Sequence, residues 1–149
     1  MNLSLNFTSG QFHRPFEPIP EECMPILREF CAYVLEPIRT YIDMPIRITS
    51  GYRSPARNKW VGGVDGSFHV YTPARCAADI QLRAPLNMVF DWIRLRSGVP
   101  FDKAILERGN KPGVETDDCI HLQYQRNPRR LAYVGSTHGT GKYTKMEVT

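Results

Sequence analysis

Two histidines and one aspartate are the residues of this sequence that could do chemistry together. His69 and Asp79 lie ten positions apart, and His121 comes much later in the chain. Imidazole and carboxylate groups bind zinc, and three protein ligands with a fourth position for water are the arrangement of a catalytic zinc site. These residue types predict zinc-assisted hydrolysis if the fold brings them together. Each histidine alone is more often an ordinary hydrogen-bonded residue, and the spacing is no short-range signature such as H-E-x-x-H.

Two predicted strands present the aspartate and the second histidine on their polar faces. The strand predicted at residues 119–125 alternates apolar and polar side chains, and a period of two places His121 and Gln123 opposite the apolar residues. The same alternation turns Asp79 away from the apolar face of the strand predicted at residues 77–82. The two side chains can therefore meet on one face of a sheet.

The first histidine lies in a long loop. Residues 51–76 are rich in glycine and proline, show no periodicity and are too many for an ordinary connector in a compact domain. Loops of this kind are usually functional. We therefore expect residues 51–76 to carry His69 and further parts of the site.

The remaining pattern predicts an α+β domain with two main helices and a mostly antiparallel sheet of four to five strands. Helices and strands do not alternate in the βαβ manner, which disfavours a doubly wound parallel sheet. Apolar periodicity predicts helices at residues 22–42 and 86–96 and further strands at residues 44–50, 103–107 and 131–134. Pro37 should kink the first helix or divide it.

Length and composition are those of one globular domain. We place this domain at residues 1–149, with an extended arm at residues 1–20 and a polar tail at residues 136–149. Apolar residues make up 42% and charged residues 23%, which excludes a disordered chain, a collagen-like repeat and a coiled coil. No segment is long and apolar enough to span a bilayer, so we expect no membrane insertion.

Charge, cysteines and the first residues bear on partners and location. The net charge of +4 favours anionic partners, but the basic cluster Arg126, Arg129 and Arg130 has no interleaved aromatic residues, so we expect no nucleic-acid binding. The four cysteines show no C-x-x-C spacing and are expected to be reduced thiols. The chain begins with neither a basic region nor an apolar stretch, so we expect a cytoplasmic protein without a signal peptide.

Several blocks in a fixed order resemble the zinc D-Ala-D-Ala carboxypeptidase family. That family also includes phage L-alanyl-D-glutamate endolysins, and the hedgehog signalling domain shares its fold. Its pattern reads S-G-Y-R-S, then S-x-H-x-x-G-x-A-x-D, and later a strand that contains a histidine. This chain has Ile48-Thr-Ser-Gly-Tyr-Arg-Ser54, Val61-Gly-Gly63, Ser67-Phe-His69, Ala77-Ala-Asp79 and Cys119-Ile-His121 in these places. The resemblance covers about residues 24–134.

The resemblance implies a zinc metallopeptidase with a hedgehog-type fold that hydrolyses an amide bond in peptidoglycan stem peptides, as a carboxypeptidase or an endolysin. It implies that His69, Asp79 and His121 bind Zn²⁺ and that Arg53 reaches the substrate carbonyl or carboxylate. Such an enzyme would act on the cell wall after holin-type release or as part of a virion, where virion proteins would be its partners. The alternative is a non-catalytic structural or binding module that retains the peptidase fold.

The chain departs from the family between the first histidine and the aspartate. The family has a step of seven positions there, whereas the step from His69 to Asp79 is ten and lacks the expected glycine. A three-residue extension costs little closure entropy, so Asp79 can remain a ligand with residues 71–75 as a bulged excursion. The competing arrangement has Cys76 as a thiolate ligand in place of Asp79. A small buried cysteine beside the site is the simpler interpretation of both Cys76 and Cys119.

Three carboxylates that precede the second histidine are candidates for the general base. Residues 101–107 resemble the family block that ends in such a glutamate, and Glu107 ends a strand that should pair with the strand of His121. Asp118 has the opposite pleat parity to His121 if the strand already includes it, and Glu115 lies in the intervening loop. We predict Glu107 as the base and Asp118 as the second choice. The alternative for Glu107 is a surface carboxylate paired with a neighbouring basic residue.

Overall fold

One mixed sheet of six strands forms the centre of the part of the chain that the structure describes. The structure is a computed structural model, and it describes residues 1–109, 118–136 and 143–149. The strand order across the sheet is β1 (Arg47–Ser50), β2 (Arg75–Gln81), β4 (Cys119–Gln125), β3 (Lys103–Arg108), β5 (Leu131–Ser136) and β6 (Thr144–Met146). Neighbouring strands are antiparallel except β3 and β5, which are parallel. The predicted α+β class is confirmed, but the sheet is mixed and has six strands rather than four to five.

Both terminal segments contribute to the fold. β6 lies within the residues predicted as a polar tail, and it pairs with β5 through Met146 and Ala132. A strand of three residues is too short to be recognised from alternation, which is why the sequence did not predict it. In the predicted arm, Phe7 and Phe12 are buried in the core and Ser9–Gln11 form a 3₁₀ turn. The arm therefore packs against the domain as part of its core.

The first long helix passes Pro37 by a local widening. α1 (Met24–Phe30) continues into a π-helical turn at Cys31–Leu35 and then into α2 (Glu36–Ile42). The N–H of Glu36 bonds to the carbonyl group five residues back, whereas an α-helix would use the carbonyl four residues back. A proline has no N–H, and its ring crowds the carbonyl four residues earlier, so a wider turn accommodates it. The predicted disturbance at Pro37 is thus a π-helical turn.

Two more α-helices lie among the described residues. α4 (Leu86–Leu95) is the second predicted helix, and its apolar face is buried. α3 (Pro55–Trp60) lies in the stretch predicted as an irregular loop. The sequence does not predict this helix, because six residues are too few to show a periodic apolar stripe. The Ser54 hydroxyl caps α3 by accepting the N–H of Arg57 at 3.2 Å. Within the described ranges, no helix combines the length and the apolar character needed to cross a membrane.

The helices cover one face of the sheet and leave the other face for a site. Apolar residues of β2 and β4 pack against α1 and α4 to form the core. Cys76 belongs to this covered face, since its Sγ lies 3.9 Å from the carbonyl oxygen of Ile26 in α1. Asp79 has the opposite parity on the same strand. The arrangement with Cys76 as a ligand in place of Asp79 is therefore wrong, and all four cysteines are buried and free.

Candidate metal centre

The pairing of β2 with β4 places two of the predicted ligands side by side. Asp79 and His121 are direct partners in the antiparallel register, on the face that the helices leave free. Directly opposed residues in an antiparallel pair have Cβ atoms about 4.5–5.5 Å apart, which is close enough for their side chains to bond. The strand alternation predicted from the sequence is correct at both positions.

The polar atoms of the three predicted ligands converge. His121 Nδ1 lies 2.8 Å from Asp79 Oδ1, and His69 Nε2 lies 3.5 Å from Asp79 Oδ2. One potential ligand atom from each residue lies within 4.8 Å of the other two, and no other such group occurs among the described residues. Tetrahedral ligands at about 2.0–2.2 Å from a zinc ion stand about 3.3–3.6 Å apart, so small side-chain movements would admit the ion.

Hydrogen bonds at the far side of each ring leave one nitrogen of each histidine facing the carboxylate. His69 Nδ1 lies 2.7 Å from the carbonyl oxygen of Gly51, and His121 Nε2 lies 3.0 Å from Gln123 Oε1. Both partners are acceptors, so these nitrogens carry the protons. His69 Nε2 and His121 Nδ1 face the Asp79 carboxylate instead, and a metal ion would replace the proton that His121 Nδ1 shares with it. Histidines that bind metals typically donate their other N–H to such an acceptor.

The long step from His69 to Asp79 is closed by a tight turn. The backbones of Thr72 and Arg75 exchange two hydrogen bonds of 3.1 and 3.3 Å. Tyr71 is not part of the excursion, because its ring is buried and its hydroxyl donates to the carbonyl oxygen of Ala77 at 2.7 Å. The extra residues therefore form a turn between two anchored ends, and His69 and Asp79 still converge.

The carboxylate at the centre of the cluster is held in its charged form. Burial alone would raise the pKa of Asp79, but the hydrogen bonds and charges of His121 and His69 bring this pKa well below its ordinary value. Burial opposes the charged form of His121, yet the hydrogen bond to Asp79 and its charge raise the pKa of His121. An anionic carboxylate between two imidazoles suits a cation.

The S-G-Y-R-S segment packs directly on the loop of the first histidine. Arg53 donates its backbone N–H to the carbonyl oxygen of His69 at 2.8 Å. Its guanidinium donates to Asn58 Oδ1 at 3.1 Å, and Asn58 Nδ2 donates to the carbonyl oxygen of Val64 at the same distance. Burial lowers the pKa of Arg53, and the charge of Asp79 opposes this shift. Arg53 is thus a held, half-buried cation whose charge acts on the cluster.

A glycine lets the N-terminal arm support the metal centre from behind. A Cβ at Gly51 would lie 2.4 Å from the carbonyl oxygen of Phe12, closer than real contacts allow. Phe12 accepts the N–H of Tyr52 through the same oxygen at 2.6 Å. Because Gly51 also binds His69, the arm, the S-G-Y-R-S segment and the first histidine form one packed unit. The sequence indicated this segment but not its contact with the arm.

Glu107 lies on the same face of the sheet as the second histidine. It is opposite Cys119 in the antiparallel register of β3 with β4, two positions before His121, so Glu107 and His121 share a face. The negative charge of Glu107 acts on both His121 and Arg53. The predicted pairing of the two strands is confirmed.

The other two candidate bases are placed differently. Asp118 is buried just before β4, where its Oδ1 accepts the N–H of Gly109 at 2.7 Å and its Oδ2 lies 3.9 Å from Arg108. It lines a separate cavity of about 610 Å³ rather than the space beside His121. Asp118 thus joins the ends of two strands. Glu115 lies outside the described residues.

A groove of about 510 Å³ opens beside the second histidine. Its floor follows one row across the sheet, because His121 is opposite Ile105 on β3 and Ile105 is opposite Tyr133 on β5. Other side chains around it include Val64, Phe68, Lys103, Gln123, Arg129 and Tyr143. The Lys103 ammonium lies 5.8 Å from the centre of the Tyr133 ring. Among the described residues no carboxylate forms an ion pair with Lys103, so the groove combines an apolar floor with a positive charge.

Comparison with known families agrees with this site. The model of the family described as Peptidase M15 matches residues 5–98, which is more than half of the chain. The match includes most of the arm, the S-G-Y-R-S segment, His69 and Asp79, and it ends before the strand of His121. A search of curated proteins finds no match to this chain. Members of the family are zinc-dependent, and the cluster described above could bind a metal ion. The chain belongs to the peptidase M15 family, as the order of its sequence blocks predicted.

Proposed function

We propose that this protein is a zinc peptidase that hydrolyses an amide bond in peptidoglycan stem peptides. The proposal is carried by the convergence of His69, Asp79 and His121 beside a groove, in a chain of a peptidase family. Glu107 and Arg53 complete the proposed machinery. The ten-residue step that motivated a non-catalytic module does not disturb the cluster, so an enzyme is the better-supported function.

The donor set fits Zn²⁺. His69 would bind through Nε2, His121 through Nδ1 and Asp79 through a carboxylate oxygen, since the other ring nitrogens are engaged with amide oxygens. Two imidazoles and one carboxylate are the protein ligands of many catalytic zinc sites. A bound Zn²⁺ supplies Lewis acidity toward the scissile carbonyl and lowers the pKa of water to about 7.

Glu107 is the proposed general base. Its carboxylate lies on the face of His121 without being one of the three clustered ligands. In this role it accepts a proton from the attacking water and later delivers that proton to the leaving amine. A base separate from the metal ligands can exchange protons without releasing the ion.

Arg53 is proposed to stabilise the negative charge that develops on the carbonyl oxygen. Its backbone bond to His69 and its side-chain bond to Asn58 hold the guanidinium in place before substrate arrives. A preorganised, partly buried cation stabilises such a charge more strongly than a cation in water does. The position of Arg53 follows from the packing of the S-G-Y-R-S segment on the first histidine.

The groove suits an extended peptide that carries a carboxylate. Ile105 and Tyr133 offer an apolar floor, and Lys103 offers a positive charge beside it. Stem peptides of peptidoglycan are short and carry free carboxylates, so they match the positive charge of this groove. We therefore place a carboxylate of the substrate near Lys103, on the β5 side of the metal centre. Peptidoglycan, reached after holin-type release or from a virion, is the proposed partner, with virion proteins as partners in the second case.

Digestion of defined muropeptides by the zinc-loaded protein tests this function. Mass spectrometry of the products identifies the bond, which separates a carboxypeptidase from an endolysin-type endopeptidase. Removal of zinc by a chelator and the His121→Ala variant should both abolish cleavage, and restored zinc should rescue only the wild-type protein. A folded, zinc-loaded wild-type protein that leaves all muropeptides intact would support the non-catalytic module instead.

A further inference from the structure

We propose that Gln123 is a positioning residue of the metal centre, whose side-chain amide, held by the buried Asp102, fixes the orientation of His121. The inference rests on the proposed zinc site and adds a residue from outside the ligand set. It concerns how the second histidine is kept ready to bind, whichever peptide is cleaved.

A continuous chain of hydrogen bonds connects the second histidine to a buried carboxylate. His121 Nε2 lies 3.0 Å from Gln123 Oε1, and Gln123 Nε2 donates to Asp102 Oδ2 at 3.3 Å. Asp102 is completely buried, and Gln123 is only 8% exposed. Water therefore has little access to replace either partner of these bonds.

The direction of the chain follows from the charge at its end. Arg129 binds both carboxylate oxygens of Asp102, with Nε 3.0 Å from Oδ1 and one terminal nitrogen 2.7 Å from Oδ2. An ionised carboxylate only accepts hydrogen bonds, so the amide nitrogen of Gln123 must point toward Asp102. Its Oε1 then points toward His121 and accepts a proton from Nε2. The buried ion pair thus keeps a proton on Nε2 of His121.

The consequence appears at the opposite side of the imidazole ring. With a proton held on Nε2, His121 Nδ1 is the nitrogen left to bind zinc, and it lies 2.8 Å from Asp79 Oδ1, where the ligand atoms converge. His69 achieves the same result through the backbone carbonyl of Gly51. Only His121 depends for this on another side chain, so substitution of Gln123 can test the effect.

A neighbouring glutamine provides a matched control. Gln125 lies two positions further along β4 and donates to Asp102 Oδ1 at 2.7 Å, but none of its hydrogen bonds reaches His121. Gln123→Leu and Gln125→Leu each remove one hydrogen bond to Asp102 and make the same chemical change. Only the first removes the acceptor of the histidine. A difference between the two variants therefore reports the contact with His121.

Zinc affinity, measured by competition with a chromophoric chelator, is the first readout. Loss of the acceptor of a ligating histidine typically weakens metal binding about 10- to 100-fold, which we expect for Gln123→Leu, against less than about threefold for Gln125→Leu. Thermal unfolding without zinc checks that both variants fold. Equal affinities in the two variants would overturn the proposal.

A second pair of variants covers the case in which Gln123→Leu does not fold. Gln123→Glu alone places two carboxylates together in a buried site and should weaken zinc binding. Adding Asp102→Asn removes one of the two negative charges and lets an amide nitrogen donate to the new carboxylate, although one terminal nitrogen of Arg129 then loses its acceptor. Zinc affinity should then recover relative to Gln123→Glu alone, which a residue with a merely structural role would not require.

NMR of the imidazole nitrogens in the zinc-loaded wild-type protein gives the direct answer. We expect His121 to be protonated at Nε2 and metal-bound through Nδ1. A proton on Nδ1 would overturn the inference, even if muropeptide cleavage shows that the proposed function is correct. A wild-type protein that binds no zinc would contradict the proposed function and this inference together, so the two failures are distinguishable.

Discussion

Replacement of Gly63 by alanine should loosen Arg53 without touching a candidate metal ligand. A Cβ at Gly63 would lie 2.0 Å from Asn58 Oδ1 and 3.1 Å from a terminal nitrogen of Arg53. The first distance is far inside van der Waals contact, and Asn58 is only 6% exposed, so its amide must be displaced. The V-G-G block of the sequence therefore keeps space for the side chain that holds the arginine.

The contacts of Asn58 set the expected size of the effect. Its amide accepts from Arg53 and donates to the carbonyl oxygen of Val64, both at 3.1 Å. Each hydrogen bond contributes about 1 kcal/mol net, so their loss should destabilise the fold by about 2 kcal/mol. In a domain of this size that lowers the unfolding midpoint by about 4–8 °C. Turnover should fall about 10- to 100-fold, less than the 10²–10³ cost of removing an oxyanion donor outright.

Thermal unfolding, zinc titration and muropeptide kinetics together test this reasoning. Gly10→Ala is the matched control, since a Cβ at Gly10 meets no atom within 4 Å. Zinc affinity should be unchanged in Gly63→Ala, because His69 and Asp79 are untouched. In the double variant with Arg53→Lys, the loss of turnover should be less than the sum of the two single losses, since both act on one interaction. A Gly63→Ala protein with the stability and turnover of Gly10→Ala would refute the role given to Asn58.

Three further predictions concern the ligands, the base and the acid limit of stability. The purified protein should bind about one zinc ion per chain, and metal analysis should find this ion lost from His121→Ala and kept in Cys76→Ser. A zinc-free Cys76→Ser variant would contradict the place of Cys76 on the covered face of the sheet. Glu107→Gln should keep zinc and lower turnover about 10²- to 10⁴-fold while Asp118→Asn does much less, and the reverse order in muropeptide kinetics would move the base to Asp118. Burial would raise the pKa of Asp102, but the arginine that binds it holds this pKa below its ordinary value. Its stabilisation is therefore present above the unfolded pKa of about 3.9 and is lost as pH falls further, so urea unfolding should show a larger gap between wild type and Asp102→Asn at pH 7 than at pH 3.

Local periodicity was enough to predict the strand that carries the second histidine. β4 has the predicted bounds, Cys119–Gln125, and its polar side chains lie on the predicted face. A period of two is a property of the backbone, so it needs no knowledge of the rest of the fold. The family resemblance implied that Arg53 and His69 serve one site, and the structure joins their backbones by a hydrogen bond of 2.8 Å.

Features that depend on distant segments could not be predicted in this way. Asp102 has no local sequence signal for burial, because its partner Arg129 lies 27 residues away and its contact with Gln123 depends on the pairing of β3 with β4. The groove depends on the parallel pairing of β3 with β5, which places Tyr133 beside Ile105. Alternation along β4 places Gln123 on the correct face, but its role depends on the tertiary contacts of Asp102 with Gln123 and Arg129.

The ten-residue step from His69 to Asp79 shows which features of the fold determine where Asp79 lies. The face of Asp79 is decided by its neighbours on β2, where Ala78 and Ile80 are fully buried, and by its register with His121. Neither depends on the number of residues that precede the strand. Extra residues before β2 form a turn that begins at Thr72, and a change of pleat face would require an insertion inside the strand itself. Strand phase and register therefore identify this candidate ligand more reliably than its distance along the chain from the first histidine.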